Sequence, residues 1–570
     1  MIRDTVIKEW YDRNKGNDGN SVAKILDVEY AHFVLENGDD FYVTRYGLPF
    51  IEHIMPDNFW TDKSWFERNS ERLSGTSSIY KVITKEVDGV NRHIVIKWNR
   101  MGQDIPGAGE DEELVTAEFN SPFEEFSLVM GLRDEISRHS GNVFIQKPLA
   151  IYVPSEPIEL DRTGRREYKM RLKIEAHKEI ELDMTRSYAV IYEWIDGIDA
   201  VQAFDKKIFD EEQMRLLTLD AEREMKKEGF LVRDNKPDHI IVDPIEDKGV
   251  RTDSNGNVIY GLIDFELLER TPKKDLEIKK TKRKDYLKRQ RDRFSLKMPD
   301  DFHPHLHHVN FLGVDYVYGK VESTKGKLWV VGKDTHLFDY FLPERWRVMP
   351  KTKISVFSEM YHVITKDNIH LVWKISNVGL QPDMDPFKKD EEKILAYGYN
   401  SPFEEVSLAV ELHRKGIASI YPRAIYMSGN KTNISENLFD SSRYGSHSEY
   451  KTPDGEPILE NNRHYMIIWG YWNGPDEKLA AKDGDYYEGI DALRAYKQGI
   501  ITRAEYIDLL QATRLKLAAV NIEDLNLRGN HILISFDSDH KLVTDRKGNP
   551  EIRICNFEFL KRNEKSHMSI

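Results

Sequence analysis

The loop FLVRDNKPDHIIVD (230–243) sets two aspartates, a lysine and a histidine between apolar residues. Asp234 could accept a proton, and Lys236 could balance negative charge developing beside it. His239 adds an imidazole able to ligate a metal, although it is a softer donor than Mg²⁺ prefers. Asp264 follows Asp234 by 30 residues, in YGLIDFELLER (260–270), where it ends an apolar run as a hard oxygen donor. Upstream, IVIKW places Lys97 on an apolar segment, and FEEFSLVMGL places Glu124 and Glu125 at the start of another. A fixed cation, an acid to hold it and a carboxylate for a divalent ion suit phosphoryl transfer, which depends on positioning and charge neutralisation. Taken singly, each residue is ordinary. An Asp and a Lys in a polar loop are turn residues, and a Lys/Glu pair is a solvated ion pair worth little.

The elements around these residues follow from periodicity. AHFVLENGDDFYVTRYG (31–47) predicts two strands about an Asn-Gly turn, and SSIYKVITKEVDGVNRHIVIKW (77–98) two more about Asp-Gly. Ser121-Pro122 predicts a helix start, with Ser as N-cap, Pro at the first position and acids in the first turn. EYKMRLKIEAH (167–177) and SYAVIYEWI (187–195) read as strands, and 211–229 as a helix closed by Gly229. FLVRD, HIIVD and YGLIDFEL read as three short strands joined by polar loops. The fold class is therefore α+β.

The chain is written twice. NSPFEEFSLVMGL (120–132) answers NSPFEEVSLAVEL (400–412), and YKVITKEVDGVNRHIVIKW (80–98) answers YHVITKDNIHLVWKI (361–375). YGLIDFELLER answers IRICNFEFLKR (552–562), and Asn526 precedes Asn556 by the same 30 residues. An N-terminal arm (1–27) is followed by copies over 28–295 and 296–570. The second copy keeps Lys374, Glu405 and His531 in place of Lys97, Glu125 and His239. It has Asn526 for Asp234, Asn556 for Asp264 and Arg528 for Lys236, and no glycine in SVFSEMYHV (355–363). An amide is no base and brings a metal no charge, so the second copy is expected to be catalytically silent.

In order and type, these motifs resemble the protein-kinase-like superfamily. VRDNKPDHIIVD looks like its catalytic loop, LIDFEL like its metal-binding motif with Glu266 where glycine is common, and Lys97 and Glu125 like its lysine–glutamate pair. RLSGTSSIYKV (72–82), with Gly75 and Ser77, is similar to its phosphate-covering turn. The resemblance implies two tandem kinase-like domains, each a small antiparallel sheet lobe with one helix plus a shortened helical lobe. It implies ATP and Mg²⁺ (or Mn²⁺) as cofactors, Asp234 and Lys236 as catalytic residues, and Asp264 and His239 as metal ligands. Lys97, Glu125, Gly75 and Ser77 would bind the nucleotide, with the backbone of Glu193–Ile195 at the adenine edge. Two departures stand out: His239 occupies the place of a metal-binding asparagine, and little chain remains after Asp264 for docking a peptide. The expected function is an atypical ATP-dependent phosphotransferase whose acceptor (a small molecule, the protein itself or another protein) is open. The alternative is a non-catalytic nucleotide-binding or scaffold protein of two pseudokinase-like domains.

Composition bounds the rest. A single cysteine, Cys555, excludes an intramolecular disulfide and a cysteine-built zinc site. No membrane span or signal peptide is evident, so a cytoplasmic setting is expected. The net charge of -14 argues against a nucleic-acid partner. KKDLEIKKTKRKDYLKRQRDRF (273–294) reads as a solvated basic helix, with a phosphate- or nucleic-acid-contacting arm as its functional reading. DFHPHLHHVNF (301–311), with its four histidines, reads as a turn-rich linker rather than a metal site.

Overall fold

The computed structural model describes residues 5–14, 20–73, 78–105, 117–139, 141–176, 182–245, 249–294, 306–321, 324–347, 349–355, 358–431, 442–472, 488–537, 539, 541–544 and 548–563. The chain divides into two units, Met1–Ile278 and Lys279–Ile570. Each is a mixed α+β body built on an antiparallel sheet. In the first unit the strands lie in the order Asn20–Ile25, Val28–Val34, Asp40–Val43, Pro148–Val153, Ala189–Glu193, His93–Trp98, Ile79–Ile83, Ser70–Arg72. In the second the order is Leu306–Phe311, Val314–Val321, Gly326–Val331, Pro422–Lys431, Arg463–Gly470, His370–Ile375, Met360–Ile364, Lys351–Lys353. Lys97 and Lys374 occupy the same place in the two sheets.

Each sheet has eight strands; in the first, the strands before residue 44 and the short strand at 70–72 form its two ends. Both faces of the first sheet are covered. Phe123, Phe126, Val129 and Met130 of the helix Pro122–His139 pack on one face. Ile7 of the helix Thr5–Asn14, with Leu48, Ile54 and Phe59, packs on the other. After exposed His93, the strand therefore shows no alternation but a continuous buried run, Ile94–Lys97, as coverage on both faces requires. Residues 1–27, expected as an arm, thus hold a packed helix and the first strand, which pairs with Val28–Val34.

The rest of each unit is smaller. In the first, Ile198–Asp199, Ile240–Val242, Tyr260–Leu262 and Val143–Ile145 form a four-stranded sheet, and Phe230–Val232 pairs with Leu268–Arg270. The helices Ala200–Asp205 and Glu211–Lys227 accompany them, the latter opened by an Asp210/Gln213 capping box and followed by Gly229 at φ +85°. Glu488–Asp491, Ile532–Phe536 and Arg553–Ile554 repeat the arrangement in the second unit, with Ile522–Asp524 beside Leu560–Arg562.

Three sequence expectations change. EYKMRLKIEAH forms a helix, Glu167–Ala176, with Met170 buried while Tyr168 and Leu172 are exposed. The alternation of Tyr, Met, Leu and Ile imitated a strand, but helix-forming Glu, Lys, Met, Arg and Leu dominate the segment. The basic segment forms the helix Pro272–Asp292, which is not solvated all round: Arg283, Tyr286 and Gln290 are buried at helical spacing. Tyr286 packs against Tyr340 and Phe341 of the second unit, so the chain divides after Ile278 and not near 295. The histidine-rich stretch is in part an edge strand, Leu306–Phe311, where His308 pairs with Asp315 at 3.0 Å; residues 301–305 lie outside the described residues. No helix among the described residues is long and apolar enough to cross a membrane.

Candidate functional site

Lys97 projects from the strand His93–Trp98 into a buried acidic cluster. Its Nζ pairs with Asp264 Oδ1 and lies 2.9 Å from Glu266 Oε2. Arg100, three residues on, places Nη1 3.3 Å from Glu266 Oε1. Asp264 also faces His239, whose Nε2 is 3.6 Å from Oδ2. Asp264 has φ +60°, a left-handed conformation that few non-glycine residues adopt and that clusters at functional sites.

Glu125 is buried on the helix but forms no ion pair with Lys97 among the described residues. Tyr192 Oη donates to its Oε1 at 2.7 Å, and its Oε2 has no hydrogen-bond partner. Burial pushes the Glu125 carboxyl up to about 7, against the lowering pull of Lys97 and Tyr192. Burial opposes the Lys97 charge, yet Asp264, Glu266 and Glu125 together hold its ammonium above the ordinary lysine range. Asp264 is held below the ordinary carboxyl range: burial works against this, and Lys97 and His239 overcome it.

Local tethers fix the cluster. Asn120 N donates to Glu266 O at 2.9 Å, its Nδ2 donates to Leu268 O at 2.9 Å, and Asn99 Nδ2 donates to Asn120 O at 3.0 Å. The start of the Glu125 helix is thereby tied to the segment after Asp264. Asn400 repeats this with Glu558 O at 2.8 Å and Leu560 O at 2.8 Å. The sequence carried the signal, since NSPFEE recurs intact, but only its Ser, Pro and Glu had an assigned task. Glu266 and its counterpart Glu558 were likewise missed as lysine partners.

The loop bearing Asp234 is stitched to the same segment. Arg233 N donates to Leu267 O at 3.2 Å, and Ile263 N donates to His239 O at 3.1 Å. Between these ties Asp234 and Lys236 pair at 2.8 Å, with the lysine side chain half exposed. Gly75 and Ser77 lie outside the described residues. At Glu193 the backbone is already engaged: its N–H donates to Lys147 O at 3.0 Å, and its carbonyl accepts from Gln146 Nε2 at 3.0 Å. Ile195 packs over Gly261, where a Cβ would meet Ile195 Cδ1 at 2.9 Å. Glu193 and Ile195 line a cavity of 330 Å³ with Trp194, Ile241 and Gly261, and neither Lys97 nor Asp264 reaches it.

Asp264 Oδ2 and His239 Nε2, 3.6 Å apart, are the two donors here that could hold a divalent ion, the imidazole being softer than Mg²⁺ prefers. The donor set is incomplete alone. His239 Nδ1 is buried without a hydrogen-bond partner, so the imidazole lacks the acceptor that usually orients a ligating histidine. A second group, Glu135, His139 and Glu228, also gathers within ligating distance, but Lys274 Nζ already stands 3.1 Å from Glu135.

The second unit shows the same frame closed. Lys374 Nζ lies 3.2 Å from Glu405 and 2.9 Å from Glu558. His531 Nδ1 is bonded to Asp524 Oδ2 at 3.2 Å and its Nε2 to Asn556 Nδ2 at 3.2 Å. Asp524 stands where the first unit has Val232, which is why His239 Nδ1 has no partner there. Arg528 Nε donates to Asn526 Oδ1 at 2.8 Å, in the manner of the Lys236–Asp234 pair.

No family model matches the chain, and no curated protein matches it. Among solved structures, the co-crystal of WbdD with the kinase inhibitor LY294002 is similar at 12% identity and a TM-score of 0.16, covering 39% of this chain and 39% of that chain. A likeness at that level carries no argument.

Proposed function

We propose that the first unit is a kinase-like phosphotransferase site that binds ATP with a divalent cation, and that the second unit is its silent copy. One observation supports this above the others: Lys97 and Asp264, 167 residues apart in the chain, meet beside His239 in the first unit, whereas Asn556 holds the aspartate's place in the second. Lys97 supplies a buried fixed cation for phosphate oxygens. Asp264 and His239 would hold the cation, which when bound would supply charge neutralisation on the phosphates. Asp234 takes the proton of the acceptor hydroxyl as its oxygen bonds to the γ-phosphorus and the bridging oxygen leaves with ADP. Lys236 balances the charge in transfer. With Glu193 engaged, Ile195 is the remaining candidate for the adenine edge.

The test is release or transfer of label from γ-labelled ATP with Mg²⁺ or Mn²⁺. Wild type is expected to act above background and Asp264→Asn at background; equal rates for the two overturn the proposal. The direct Lys97–Asp264 pairing favours a second reading, a non-catalytic module whose site is closed by its own ion pair. Under that reading neither nucleotide nor metal turns over, and binding is detected by thermal shift alone or not at all.

A further inference from the structure

We infer that Glu266, rather than the helix glutamate Glu125, is the positioning residue for Lys97, keeping the ammonium in place when Asp264 turns to a divalent cation. The inference rests on the phosphotransferase reading and assigns a residue which that reading does not use. In the first unit Lys97 Nζ forms an ion pair with Glu266 Oε2 at 2.9 Å, without the alignment of a hydrogen bond, while the Glu125 carboxylate accepts from Tyr192 and makes no ion pair with Lys97 among the described residues. In the second unit Lys374 keeps the equivalent glutamate, Glu558, at 2.9 Å even though the helix glutamate Glu405 also reaches it at 3.2 Å. The residue three places after the lysine reaches the same glutamate in both copies: Arg100 at 3.3 Å and Asn377 Nδ2 at 3.2 Å. The carbonyl of each glutamate is also fixed, by Asn120 N at 2.9 Å and Asn400 N at 2.8 Å. The contact therefore persists where Asn556 has removed the metal-binding acid, so it does not depend on that acid.

The consequence is electrostatic. Lys97 has two close carboxylates, and a cation that recruits Asp264 deprives it of one. Glu266, itself braced by Arg100, leaves Lys97 neutralised and on its bearing. Without Glu266 the ammonium has Asp264 as its one close partner, and lysine and metal compete for a single carboxylate.

The experiment is a Mg²⁺ titration of the full chain at fixed non-hydrolysable ATP analogue, read by thermal shift, for wild type, Glu266→Gln and Glu266→Asp. Glu266→Gln is expected to raise the half-saturating Mg²⁺ concentration roughly tenfold, the loss of one charge-assisted contact. Glu266→Asp, which keeps the charge on a shorter stem, is expected to restore most of the wild-type requirement and serves if the Gln variant does not fold. A lower ligand-free melting temperature with an unchanged Mg²⁺ requirement overturns the inference and leaves the proposed function standing. No analogue-dependent shift in wild type overturns both.

Discussion

At the scale of single residues, the two buried helix glutamates tie stability to pH. Burial raises both Glu125 and Glu405 from the ordinary carboxyl value to about 7. A carboxyl whose folded pKa is raised stabilises the fold fully below its unfolded pKa, near 4.5, and loses that contribution as pH climbs through about 7. Glu125→Gln, which keeps an acceptor for Tyr192, is therefore expected to leave the melting temperature nearly unchanged at low pH. In mildly alkaline buffer it should raise the first unit's melting temperature by a few degrees. A variant that melts below wild type throughout this window contradicts the assignment. Asp264 behaves oppositely, being depressed, so its contribution is lost as pH falls through the acid range.

At the scale of elements, the asparagine tether and the basic helix make distinct predictions. Asn120→Ala strands the Leu268 carbonyl in a buried position and is expected to cost about 1–3 kcal/mol in denaturant titrations. Tyr286→Ala removes a ring that is 2% exposed and packed under the second sheet, for an expected loss of about 3–5 kcal/mol. Leu276→Ala, on the same helix but 53% exposed, should stay within about 0.5 kcal/mol of wild type. Equal losses for the two would contradict the burial of Tyr286 against Tyr340 and Phe341.

These elements also mark what the sequence could tell. Hairpins announced by Asn37-Gly38 and Asp88-Gly89, the Ser121-Pro122 helix start and the Gly229 stop all stand where local chemistry put them. The helix at 167–176 did not, because period-two spacing of four apolar residues is compatible with a helix that buries few of them. The Lys97–Glu266 contact was invisible for another reason: a glutamate two residues after Asp264 has no local role, and its partner is set by how distant strands meet.

At the scale of the whole molecule, two units with the same strand order offer an internal control. Stabilisation by an ATP analogue and Mg²⁺ should appear in the first unit alone. Lys97→Met is expected to abolish it and Lys374→Met to leave it intact. Hydrogen exchange resolved along the chain checks this, and protection spread equally over both units would refute a single working site.

The Asp524–His531–Asn556 chain bears on any attempt to resurrect the second copy. Asp524 grips the imidazole from behind at Nδ1, which leaves Nε2 to offer its lone pair toward position 556. Writing aspartate back at 526 and 556 would therefore return the lost acids to a ring already steered for ligation, a brace the first copy does without at Val232. Such a double revertant should gain metal-dependent nucleotide binding, and adding Asp524→Val should weaken it. A triple variant that bound no worse would show that the grip is ornamental.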